Sequence, residues 1–172
     1  MLRATIGIVM LGAWGILLAR SSVRDDPDVV TANHFSSSKL PALSVIAPSP
    51  WRLDFDERNG KLTSLSPGAQ LIIQTSLVSD SADADSLLKA VLDGRQRLQM
   101  FQDGPVFTEV LDELKSVGAV MTAAKGSMAI WVVRRVGQIF TVITCTSVGN
   151  RDAKTKCNGV LSSLKWRPLE PL

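Results

Sequence analysis

The stretch from Ala119 to Thr146 constrains the fold most: three apolar, β-rich segments stand in a row, separated by Lys125-Gly126 and Val136-Gly137. Runs of Val, Ile, Thr and aromatic residues bounded by glycine turns read as antiparallel strands joined by hairpins. The segments Ala119–Ala124, Met128–Arg135 and Gln138–Thr146 therefore predict two hairpins that share a central strand. A chain that carries them must build a sheet and bury at least one of its faces.

More β signal lies upstream. Trp51, Leu53 and Phe55 alternate with Arg52, Asp54 and Asp56, the period-two pattern of a half-buried strand. Asn59-Gly60 fits the two positive-φ positions of a type I′ turn, with Lys61–Leu65 returning as the partner strand. Ser66-Pro67-Gly68 then leads into a third strand over Gln70–Leu77. Asp83 or Ser81 can cap a helix whose face is Ala84, Leu87, Leu88, Val91, Leu92 and Leu98. Gly94 weakens that helix, and Asp103-Gly104-Pro105 ends it. Val106–Val117 fits a helix or a strand. A last helix spans about Asp152 to Leu164, with Cys157, Val160, Leu161 and Leu164 on one face and Pro168 beyond it as a stop. Together these predict one α+β domain over 51–168, an antiparallel sheet of about five to six strands packed against two or three helices.

The amino terminus reads as an address. Arg3 precedes an uncharged run of sixteen residues, Ala4 to Ala19, which Arg20 closes. This is the pattern of a secretory signal peptide or a short membrane anchor over 1–21. Sixteen residues reach roughly 24 Å as a helix, short of a hydrocarbon core of about 30 Å. The small residues Ala19 and Ser21 allow cleavage before Ser22. Both readings stay open: cleaved, the domain is released outside the cytoplasm; uncleaved, residues 4–19 hold it at the membrane. Residues 22–50, rich in Ser, Asp and Pro, read as a flexible linker.

Cys145 and Cys157 are the only cysteines. An even number in an exported chain reads as a disulfide joining the last strand to the last helix, against the alternative of two buried thiols. No cysteine in or just after the leader offers a lipidation site.

Charge is unevenly distributed. Leu77–Glu113 carries eight acidic side chains against Lys89, Arg95 and Arg97, whereas Met121 to the end carries eight basic ones against Asp152 and Glu170. Arg134, Arg135, Arg151, Lys154 and Lys156 form the candidate partner surface of that basic end. Export argues against nucleic acid as the partner.

Catalytic sets are missing. The one histidine, His34, falls in the linker, and the chain has no tyrosine. A Ser-His-Asp or Cys-His site would need that linker to fold back onto the domain. Asp54, Asp56 and Glu57 could form a carboxylate or metal cluster, but they belong to the solvent face of a strand whose other face is the core. No glycine-rich phosphate loop is present, so neither cofactor nor metal is expected.

The order of elements and the closing Leu161-Ser162-Ser163-Leu164-Lys165-Trp166 resemble the PsbP-like fold that includes bacterial envelope proteins of the DcrB type. The resemblance covers Trp51 to Pro168 and implies an antiparallel sheet covered by helices, with an accessory or binding role and no catalytic residue to carry over. The expected function is a non-enzymatic, exported or membrane-anchored, periplasmic or extracytoplasmic envelope protein that binds another protein. The alternatives are a periplasmic immunity or inhibitor protein against a toxin, and a small-ligand carrier or hydrolase with a pocket between sheet and helix.

Overall fold

The computed structural model of the chain describes residues 28–78, 82–149 and 152–169. The leader, residues 22–27, the Ser81 cap and Arg151 lie outside these.

Among the described residues twelve strands form two sheets, accompanied by two α-helices, a sheet-dominated α+β arrangement with about twice the expected number of strands. The large sheet is built from β4 (Arg52–Asp56), β5 (Lys61–Ser66), β6 (Ala69–Leu77), β11 (Ile139–Val148), β10 (Gly126–Val136) and β9 (Leu114–Ala123), in that spatial order. Beside β9 lie β7 (Phe101–Gln102) at one end and β8 (Phe107–Leu111) at the other. The small sheet has the order β1 (Val29–Val30), β2 (His34–Ser37), β3 (Leu43–Ile46), β12 (Lys165–Trp166). All pairings are antiparallel.

The three expected strands of the 119–146 stretch are present as β9, β10 and β11, with β10 at their centre. Every residue of β10 from Ser127 to Val133 is buried, because both faces of the sheet are covered. Met128, Ile130 and Val132 face α1 (Ala84–Gln96), whose Leu88 and Leu92 pack on Val117, Ala119, Met121 and Phe140. Ala129, Trp131 and Val133 face the other way, toward α2 (Ala153–Leu161) and the small sheet. The disulfide Cys145–Cys157 ties β11 to α2 inside that core, with both residues fully buried.

The linker reading of residues 22–50 is corrected over 28–50. Phe35, Ala42, Leu43 and Val45 have no exposed surface, and Phe35, Leu43 and Val45 share one core with Trp131, Ile143 and Val160. The apolar signal comes in strands of two to four residues, too short to show a period among the prolines and serines. The folded unit thus starts by Val29 rather than at Trp51, and His34 is a strand residue paired with Ile46.

Two turns also differ from expectation. The β4–β5 connection is a 3-10 turn over Glu57–Asn59 with only Gly60 left-handed, at φ 54°, because the Asp56 side chain accepts from the Asn59 backbone N–H and holds Asn59 in the turn. The Val106–Val117 segment is a hairpin whose Asp112 and Glu113 both take positive φ, 45° and 72°. That is type I′ geometry without the usual Asn-Gly, which left no local signal. Gly118 makes the hairpin possible, since a Cβ there would collide with the Ile130 carbonyl and the Phe107 ring.

Candidate binding groove at the β8 edge

Arg134, Arg135, Lys154 and Lys156, the described members of the basic set, do not form one surface. Successive strand residues point to opposite faces, so Arg134 lies on the α1 face, exposed, donating from Nε to the Gly137 carbonyl at 2.8 Å. Arg135, next to a β-bulge, turns into the seam between the two sheets. Its guanidinium donates to the carbonyls of Pro41, Ala42 and Arg167 at 3.1, 3.0 and 2.9 Å and stacks on the Trp166 ring at 4.1 Å. Burial lowers its pKa to about 10, opposed by the charge of Asp112. Arg135 is an internal staple, not a partner contact. Lys154 is engaged as well, paired with Glu109 at 2.7 Å with its ammonium 3.9 Å from the Phe107 ring centre. Of the four described members, Lys156 on α2 and Arg134 remain as exposed cations, on opposite sides of the sheet.

Asp56 and Glu57 are occupied locally, and Asp54 is exposed on β4. Asp56 caps the 3-10 turn, and the Asn59 side-chain amide holds its pKa below the usual carboxylate value. Glu57 reaches Lys39 at 3.8 Å. Among the described residues no group of three His, Cys, Asp or Glu side chains is placed to hold a metal ion. The space between sheet and helix is filled: the void lined by Val45, Leu53, Leu62, Ser64, Leu71, Ile73 and Val160 admits no water-sized sphere.

Concave surfaces lie elsewhere, among them a hollow of about 420 Å³ beside β4, lined by Ala32, Asn33, Trp51 and Arg52. A groove of about 540 Å³ runs between β8 and the carboxyl end of α2, lined by Glu109, Val110, Leu111, Asp112, Asn158, Gly159, Leu161, Ser162, Leu164 and Lys165. The closing sequence singled out above forms one wall. The helix stops at Leu161, and Lys165–Trp166 pairs with β3 as a strand instead of extending the helix. Asp112 clasps this wall, accepting from Lys165 Nζ at 2.7 Å and from the Trp166 backbone N–H at 2.6 Å, while Trp166 Nε1 donates to the Leu111 carbonyl at 2.6 Å. Glu109 accepts from Trp131 Nε1 at 3.3 Å besides pairing with Lys154. Both groove carboxylates are thus held in ion pairs.

The other wall is an open strand edge. In a two-residue hairpin the flanking pair, here Leu111 and Leu114, exchanges hydrogen bonds, and the pattern alternates along the ladder. Thr108 and Val110 therefore turn their backbone N–H and C=O away from β9, and both side chains are exposed, Val110 by 66%. The opposite edge of the sheet is guarded: β4 presents Arg52, Asp54 and Asp56, and its Leu53 N–H is taken by the Ala32 carbonyl at 2.8 Å. Charge and coverage of that kind block strand addition. Within β8 only Glu109 carries a charge, and Lys154 neutralises it. The sequence could not reveal this edge, because the open reading of 106–117 hid the strand.

No known family pattern matches the chain, and no curated protein matches it. A crystal structure of a protein from Bacteroides thetaiotaomicron VPI-5482 is similar at TM-score 0.52 and 14% sequence identity, over 80% of this chain and 49% of that one. The likeness is one of fold, and the chain spans about half the length of that protein.

Proposed function

We propose that this protein is a non-enzymatic extracytoplasmic accessory protein, held at the membrane by an uncleaved leader, that binds an extended segment of an envelope protein at the β8 edge. The observation that carries the reading is the open edge of β8 lying along a groove, on a sheet whose other edge is guarded. Strand addition supplies affinity through backbone hydrogen bonds, and alternate side chains of the added strand enter the groove. The buried disulfide favours an oxidising, extracytoplasmic compartment. The resemblance to envelope proteins of the DcrB type points the same way.

The test is affinity purification of the full chain from membranes, with edge variants as the discriminator. Thr108→Pro removes an outward N–H at an edge position that tolerates proline, and Val110→Lys places a charge on the edge. Both should lose the partner that the wild type retains, while Lys156→Glu on the exposed side of α2 keeps it. A partner that survives both edge variants and leaves with Lys156→Glu would show that the contact is the basic helix face.

A further inference from the structure

We infer that the end of the domain where β6, β10 and β11 meet, carrying Leu77, Val136 and Ile139, rests on the lipid bilayer. The inference depends on the retained leader in the reading above, and it adds a surface and an orientation.

The first observation is where the chain enters the fold. Asp28 accepts from Ser37 Oγ at 3.2 Å and from the Ser38 N–H at 3.0 Å, and pairs with Arg167 at 3.3 Å. The Arg167 carbonyl in turn accepts from Arg135 at 2.9 Å, and Arg135 adjoins Val136. Asp28 is thereby fixed at the Arg135 end of β10.

The second observation is the apolar surface at this end. Val136 is in register with Ile139, and Ile139 with Leu77, so three neighbouring strands end in a row of aliphatic side chains. Leu77 and Val136 are 63% and 67% exposed. Arg134, exposed beside them, can reach headgroups. Acidic and basic groups are mixed at this end, with Asp56 and Glu57 close to Arg58 and Lys61, so the contact is apolar rather than a response to anionic lipid.

Reach decides the orientation. Only residues 20–27 separate the apolar run from Asp28, eight residues that span at most about 26–29 Å. The headgroup layer uses about 5–7 Å of that. Val148, at the far end of β11, is about 31 Å from Ile139 at strand rise. With Asp28 held toward the Arg135 end, the Leu77–Val136 end lies nearest the leader and the far end about a strand length further away.

The experiment uses the full chain reconstituted in phosphatidylcholine vesicles containing nitroxide-labelled lipid, with a coumarin amino acid in place of Val136 or, separately, Val148. Contact with the headgroup–acyl boundary predicts quenching several-fold stronger at 136 than at 148 and unchanged by added salt. Equal quenching, or stronger quenching at 148, overturns the inference. Amide exchange of the unlabelled chain, vesicles against detergent, guards against a disturbed fold: slowing is expected at Ser76–Val78 and Val136–Ile139 and not at Gly68 or Val148, and uniform exchange refutes it. A mature terminus at Ser22 removes the anchor and the inference together. An intact leader with unquenched Val136 removes the inference alone.

Discussion

Arg135 offers the sharpest test of how the two sheets are joined. Arg135→Ala deletes hydrogen bonds to three carbonyls. The Ala42 carbonyl keeps the Arg167 N–H at 3.0 Å, so the loss falls on the Pro41 and Arg167 carbonyls. An orphaned buried acceptor costs about 1–3 kcal/mol, and the lower part of that range applies here because the half-buried seam lets water approach. The lost stacking on Trp166 adds about 0.5–1 kcal/mol. The expected loss is about 3 kcal/mol, read from urea denaturation as a fall in midpoint at constant slope. Arg135→Lys keeps the charge and the ring contact, but one ammonium cannot replace a planar fork over three carbonyls, so it should lose about half as much. Arg134→Ala, which loses one exposed hydrogen bond, should stay within about 0.5 kcal/mol of wild type. Burial lowers the folded value of Arg135 to about 10, so the guanidinium is charged in folded and unfolded chains below about pH 9 and its contribution is flat there. If Arg135→Ala cost no more than Arg134→Ala, the seam would be held by apolar packing and the staple assignment would be wrong.

Two further outcomes can be checked on the same protein. Reduction of Cys145–Cys157, or the double replacement by Ala, opens a short loop, residues separated by 12 in sequence, and should cost about 3 kcal/mol by the chain-entropy argument; an unchanged urea midpoint with both thiols alkylated would contradict it. Asp152 caps α2, and hydrogen bonds from Thr155 hold its carboxyl below the usual value. That stability is present above the unfolded value near 3.8 and is lost as pH falls through the lower folded value. Asp152→Asn should match wild type at neutral pH with a shallower acid transition, and Asp152→Ala should cost about 1 kcal/mol; an identical acid limb in Asp152→Asn would assign the acid sensitivity elsewhere.

The elements whose cause is local were readable in the chain. The strands of 119–146 were signalled by β-branched runs between glycine turns, α1 by Asp83 and its leucine spacing, and α2 by the spacing of Cys157, Val160 and Leu161, although the helix ends at Leu161 and not near the expected stop at Pro168. In each case a few adjacent residues specify the backbone, and Asp83 and Asp152 accept from the Ser86 and Thr155 N–H groups as caps should. The pairing of Cys145 with Cys157 followed from number and compartment. What the tertiary structure decided rests on contacts between distant segments. Strands β1 to β3 and β12 exist because Phe35, Leu43 and Val45 find Trp131 and α2 across the core, not because of local periodicity. Arg134 and Arg135 are neighbours in sequence, but the pleat sends one to solvent and the bulge sends the other under the small sheet. The groove at β8 needs a hairpin with an unusual Asp112-Glu113 turn, a helix end and a two-residue strand, which no single stretch encodes. Composition and spacing thus determined the central strands and the two helices, whereas long-range burial decided which charges are engaged and which edge is open.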